Sequence, residues 1–174
     1  MGKCFPYYLL IGAFLLIKCS DDQQIQPPDH FVIPNDKLAF YKIEKPMFYC
    51  SEIFIDSVTQ LGERVIGYDQ IIRYDTSNFT FEITKSAADT IKNINFRYRN
   101  YCMPIVIISN GEIIFGFYLY HFLCSSIPYW LYTFPSNNQY LTIYPPEWTV
   151  KPLDPDPRKD SRIIQVLLND NKLK

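Results

Sequence analysis

Two histidines, three cysteines and a scatter of carboxylates are the residues in the body of this chain that could do chemistry. His121 precedes Cys124 by three positions. A thiolate nucleophile needs such a base within hydrogen-bond reach, together with a third group to orient it. In a strand, however, residues three apart point to opposite faces. His30 stands in a proline-bearing polar stretch, away from any such partner. Cys50, Cys102 and Cys124 form neither a CxxC pair nor a Cys/His set with zinc spacing, so no metal is expected. Asp56, Glu63, Asp69, Asp75, Glu82, Asp89 and Glu112 could supply an acid/base pair for hydrolysis. Several of these sit in turn-like segments, where Asp usually serves backbone geometry. Tyr68-Asp69 and Tyr74-Asp75 repeat six residues apart, again as turn chemistry. The six glycines form no phosphate-binding loop. No catalytic residue and no cofactor is therefore assigned. An envelope hydrolase using turn carboxylates stays as the alternative reading.

Aromatic residues offer a second kind of chemistry, that of stacking and burial against a partner. Tyr118, Tyr120, Phe122, Tyr129, Trp130, Tyr132 and Phe134 crowd into 17 positions, and Trp148 follows. Tyr118, Tyr120, Tyr129, Trp130 and Tyr132 are the candidate binding surface. Tyr118 and Tyr120 share one strand face. The competing reading is that these rings fill the core of a small sheet domain.

Of 174 residues, 17 are basic and 18 acidic, for a formal charge of -1. Discounting Lys3 and Lys18 leaves 15 basic residues against 18 acidic ones in the remainder. Such a balance gives no basic face for nucleic acid. Apolar content of 48% and charged content of 20% suit a folded domain. The start of the chain is different in kind. Lys3 precedes an uninterrupted apolar run from Tyr7 to Ile17, followed by Lys18, Cys19 and Ser20-Asp21-Asp22. Eleven apolar residues are too few to span a bilayer, which takes about 20. They are the length of a signal-peptide core.

An apolar run that stops at a cysteine, followed by Ser and acids, resembles the lipobox of bacterial lipoproteins. Lys18 departs from it, standing where Gly, Ala or Ser is usual. The Cys19 region, the NGEIIFG segment and the DPRKDSRII tail together look like small Bacteroidota lipoproteins. That resemblance implies a signal peptide over 1–18, lipidation at Cys19, a tether over 19–36 and a single domain over 37–174. It implies a membrane partner through the lipid anchor, in the inner or outer membrane and facing the periplasm or the cell surface. A secreted soluble protein is the lesser alternative. The reading is a cell-envelope lipoprotein whose domain is a non-enzymatic binding or interaction module with an envelope protein or glycan partner. Export would permit a disulfide. Cys102 and Cys124 flank a hairpin and are the candidate pair, with unbridged thiols as the alternative.

These residues must be positioned by local elements. Leu38–Ile43 and Phe48–Ile55 read as strands, and Val65–Tyr74 as a further apolar segment. Phe79, Phe81 and Ile83 alternate on one strand face. Ser86 and Asp89 have capping-box spacing for a short helix over about 87–95, with Ala87, Ala88 and Ile91 on the sheet. Ile105–Ile108 and Glu112–Phe115 flank Asn110-Gly111, the signal for a type I′ hairpin. That register pairs Ile108 with Ile113 and Val106 with Phe115. The Ile/Val run predicts a strand buried on both faces in mid-sheet, and Gly116 an interruption or a bulge of the return strand. Tyr140–Tyr144 reads as the last strand. Ile163, Ile164, Leu167 and Leu168 form one face of a C-terminal helix over about 161–168. Phe79–Ile91 and Met103–Gly116 together are similar to a βαββ unit in the periplasmic head of the SecD translocase subunit. The sum is an α+β fold with an antiparallel or mixed sheet.

Overall fold

Every residue of the strand Met103–Ser109 is buried, and that strand organises the rest. The computed structural model describes residues 31–44, 51–97, 102–120, 128–135, 138–146 and 153–174. Among them are β1 (Ala39–Ile43), β2 (Leu61–Ile66), β3 (Ile71–Asp75), β4 (Thr80–Ile83), α1 (Lys85–Arg97), β5 (Met103–Ser109), β6 (Glu112–Leu119), β7 (Tyr132–Thr133), β8 (Tyr140–Thr142) and α2 (Ser161–Asn169). The strands form a five-stranded sheet, β2-β1-β5-β6-β7, and a three-stranded one, β3-β4-β8. All pairs are antiparallel except β6 with β7, so the larger sheet is mixed and the fold is α+β. Phe31–Lys174 form one compact unit.

The hairpin β5–β6 is the centre of the larger sheet. Its turn carries Asn110 at φ 49° and Gly111 at φ 80°, the two positive values that a type I′ turn needs. The Asn110 N–H donates to the Asp36 carbonyl at 2.6 Å, which ties the turn to the entering chain. Ile108 pairs with Ile113, yet Val106 pairs with Gly116 rather than Phe115. The cause is a bulge: Ile107 faces Phe115 while Ile108 faces Ile113, leaving Ile114 as the extra residue. Gly116 does not interrupt β6, which runs through it. A Cβ there would lie 2.7 Å from Ile53 Cγ2 and 2.8 Å from Ile53 Cδ1. Its missing side chain is the seat of Ile53.

Two apolar layers cover the two faces of this sheet. On one face Phe40, Ile105, Ile107, Phe115 and Phe117 meet Phe81, Ile83 and Tyr74 of the smaller sheet and residues of both helices. Phe40 stands edge-on to Phe81 at 5.1 Å and to Phe117 at 5.9 Å, and Tyr74 stacks on Phe81 at 4.1 Å. On the other face Ile43, Val106, Ile108, Ile113 and Tyr118 are covered by Ile53 and Val58, with Ile33 packed alongside. Residues 51–54, expected within a strand, are irregular and lead into a 3-10 turn at Ile55–Ser57. They serve as this second cover. Ile33 and Asp36, placed by sequence in the tether, are fastened to the domain. Asp36 accepts from the Tyr41 hydroxyl at 2.5 Å and from Arg64 at 3.3 Å.

The helices differ in detail from their sequence patterns. α1 starts two residues earlier than expected. Its cap is Thr84, whose hydroxyl accepts from the Ala87 N–H at 3.3 Å, and not Ser86. Ala87, Ala88, Ile91 and Ile94 are its buried face. In α2 the buried set is Ile163, Val166 and Leu167, while Leu168 is exposed. The face is thus i, i+3, i+4, because Val166 and not Leu168 turns toward the core. Asp160 caps α2 and binds Arg162. The chain then closes on β3. Tyr74 N–H donates to the Lys172 carbonyl at 2.7 Å, and Lys174 N–H to the Tyr74 carbonyl at 2.9 Å. Asp170 accepts from Lys37 and from the Tyr68 hydroxyl, and Lys172 lies over the Tyr68 ring at 4.1 Å.

Two predictions follow from this packing. Gly116→Ala lowers stability by about 1–3 kcal/mol, because Ile53 has nowhere to retreat. Ile53→Ala alone costs about 2–5 kcal/mol. In the double variant the glycine substitution adds little, a coupling that urea denaturation of all four proteins reads out. Full additivity contradicts the contact. The second prediction concerns pH. Burial, then the Asp36 hydrogen bond, pushes the Tyr41 hydroxyl up to about 12, and burial pushes Tyr118 up to about 12. Tyr68 and Tyr74 are raised too, by burial first. Groups raised from their usual 10.0 stabilise the fold fully below pH 10 and lose that contribution as pH climbs through about 12. Conversely, hydrogen bonds from Ser77 and Lys174 hold Asp75 at about 2. Its contribution is present above pH 3.8 and is lost as pH falls through about 2. NMR titration of Asp75 near 4 contradicts its hydrogen bonds from Ser77 and Lys174.

Candidate functional site

The two sheets meet at one bridge, and the candidate site is there. β7 pairs in parallel with the end of β6, Tyr118 facing Tyr132 and Leu119 facing Thr133. Tyr118 N–H donates to the Leu131 carbonyl at 2.9 Å, and Tyr120 N–H to the Thr133 carbonyl at 2.8 Å. On its far side β7 meets the chain just past β8. Tyr132 and Tyr144 exchange both backbone hydrogen bonds, at 3.1 and 2.7 Å.

Period-two alternation sets the side chains of this second strand. Leu141 and Ile143 point into the core at 2% and 1% exposure, while Tyr140 and Tyr144 point outward at 50% and 41%. The Tyr144 ring lies 5.5 Å from Tyr132 and 6.1 Å from Phe134. Phe134 stands nearly perpendicular to both Tyr132, at 5.3 Å, and Tyr120, at 5.7 Å. Tyr120 and Tyr132 are themselves 6.0 Å apart. These are the edge-to-face separations that aromatic rings prefer. Two rings are buried and two are half-exposed, so the cluster is rooted in the core and open at its surface.

The backbone beneath Tyr144 is fixed by the buried Arg158. Its Nη1 donates to the Ile143 carbonyl at 3.0 Å, and its fork binds Asp156 at 2.8 and 2.9 Å. The guanidinium lies over the Phe79 ring at 3.8 Å. Phe79 adopts φ 56°, and its carbonyl accepts from the Ile143 N–H at 3.0 Å. Burial opposes ionisation of Asp156, but the hydrogen bonds from Arg158 outweigh it and hold its carboxyl below the usual range. Tyr74 closes the set by donating its hydroxyl to the Arg158 carbonyl at 2.9 Å. Beside the cluster, Thr133 is fully buried, and its Oγ1 has no hydrogen-bond partner among the described residues.

This geometry redraws the candidate surface. Tyr118 is wholly buried and donates to the Ser51 carbonyl at 2.9 Å, and Tyr120 and Tyr132 are buried beneath the cluster. The Tyr118–Tyr120 pair therefore presents no open face, because segment 51–58 and the rings of β7 cover it. Trp130 is partly buried, its indole N–H donating to the Gly116 carbonyl at 2.8 Å. Tyr129 is exposed at 60%. Three surface rings at this junction that the candidate set omits are Phe134, Tyr140 and Tyr144. The outward alternation of Tyr140 and Tyr144 about Leu141 and Ile143 was the signal for two of them.

Cys19, His30, Cys50, His121, Phe122, Cys124 and Trp148 lie outside the described residues. Cys102 is disulfide-bonded, and its partner lies outside them as well. Among the candidate carboxylates, Asp75 binds Lys174, Glu82 binds Arg73, and Glu112 binds Arg162. These three each meet a separate cation. Among the described residues no group of three or more His, Cys, Asp or Glu side chains is placed to hold a metal. No protein-family model matches the chain, no similar sequence is found among curated proteins, and no similar fold among solved structures.

Proposed function

We propose that this chain is a cell-envelope lipoprotein, anchored through Cys19, whose domain works by binding an envelope protein or glycan and not by catalysis. The N-terminal sequence supports the anchor: an 11-residue apolar run ending beside Cys19, with a polar, proline-bearing stretch behind it. No helix among the described residues is long and apolar enough to cross a membrane. The observation that carries the binding reading is the aromatic junction. Phe134 and Tyr144 keep 41% of their surface open, Phe134 packed edge-on against buried Tyr120 and Tyr144 tilted against buried Tyr132. Rings held this way present area to a partner at little further entropic cost, since their rotamers are already fixed. Tyr140 extends the same outward face. The hydrolase reading has less support, because Asp75, Glu82 and Glu112 of its carboxylates are each engaged in a separate ion pair.

Two measurements test the proposal. Metabolic labelling with a fatty-acid analogue marks the wild-type chain and leaves Cys19→Ala unmarked; label on both, or on neither, contradicts the anchor. Binding of the full chain to immobilised envelope glycans and envelope proteins is compared with that of a Phe134→Ala/Tyr144→Ala variant. The variant keeps its circular dichroism and loses at least about tenfold in affinity, equivalent to about 1.4 kcal/mol. Equal binding by both proteins contradicts the junction as the contact surface.

A further inference from the structure

Large apolar side chains also gather where the domain begins. Val32 at 79% and Phe54 at 63% are the most exposed large apolar residues among those described. Their neighbours Phe31 and Ile55 are each 37% exposed. Phe31 and Ile55 line one open cavity of about 420 Å3, floored by Ile33, Val58 and Ile113. Residues 31 and 33 and the turn residues 55, 56 and 58 thus share this cavity, and the exposed Val32 and Phe54 adjoin them in sequence. The rim carries Asp56, Glu112 and Arg162. Arg162 is held by Glu112 at 2.6 Å and by Asp160 at 2.7 Å, so the rim offers no uncommitted arginine to an anionic partner.

The chain itself says what lies opposite this cavity. Eleven residues, 20–30, separate Cys19 from Phe31. Fully extended they reach at most about 40 Å, and as a flexible coil about 18 Å. An acyl group on Cys19 would keep Phe31 and Val32 within that distance of a bilayer at all times. Tethering at such range raises the effective concentration of a weak second contact enough to make it persist.

We propose that Phe31, Val32, Phe54 and Ile55 form a membrane-docking patch that seats the domain on the bilayer to which Cys19 is anchored. This rests on the lipidation of Cys19. The patch inserts apolar side chains at the headgroup boundary and does not select anionic lipid. Docking fixes the orientation of the domain, where a bare tether would let it tumble.

The test uses the full chain purified from its membrane and placed in phosphatidylcholine vesicles. Phe54→Trp puts a reporter on an exposed position, and the emission of Trp130 and Trp148 in the wild type sets the baseline. Lipid brominated high in the acyl chain quenches the added tryptophan at least twofold more than the baseline. Adding Val32→Asp removes that quenching while the protein still floats with the vesicles. A floating, acyl-labelled Phe54→Trp chain whose added emission stays unquenched overturns the docking and leaves the anchor intact. A chain that carries no acyl label and does not float overturns the anchor, and the docking with it.

Discussion

A strand hairpin that is apolar on both faces cannot rest on a single layer, and this constraint organises the molecule. β5 buries all seven of its residues, and β6 buries all but Glu112. Each large apolar side chain left in water would cost about 1.5–3 kcal/mol, so two covers are required. One is substantial: the three-stranded sheet and the two helices close over Ile105, Ile107, Phe115 and Phe117. The other is thin, built from irregular backbone around Ile53 and Val58. The thin cover can approach closely because Gly116 has no side chain, and Tyr118 ties it down through the Ser51 carbonyl.

The same constraint creates the surface features. The larger sheet must end somewhere, and it ends at β7, only two residues long and paired with the chain beyond β8. Short edges guard against pairing with other chains. The outward side chains at that seam are aromatic, and Arg158 holds the backbone under them from the core side. The exposed Phe54 and Ile55 belong to the thin cover, whose inward residues pack on β6 while its outward ones face solvent.

The hairpin was legible because three signals coincide in it: Asn-Gly at the turn, branched residues on both sides, and a run too long for one face. β8 and the buried side of α1 were legible for the same reason, a clean period. The failures have physical causes. A single bulge at Ile114 shifts the register beyond it, and no residue type announces a bulge. Gly116 read as a break or a bulge because a strand glycine is uncommitted until its neighbour is known, and that neighbour, Ile53, is 63 positions away in sequence. Tyr118 and Tyr120 could be read as surface or as core, because sequence alternation assigns faces without saying which faces are covered; the core reading holds for both. Leu168 looked like core because adding one residue to a helical face changes its direction by 100°. Arg158 gave no signal at all, since buried arginines are recognised by their partners, and Asp156, Phe79 and Ile143 converge on it only in three dimensions.

Native-state hydrogen exchange on the full chain tests the two-cover account directly. Amides of Ile105–Ile108 and Phe115–Phe117 exchange only through global unfolding, with the denaturant dependence of the whole domain, while those of 52–58 open at lower free energy. If the hairpin amides exchange faster than those of β3 and β4, or if 52–58 is as protected as the hairpin, the hairpin is not the element that the rest of the fold is built to cover.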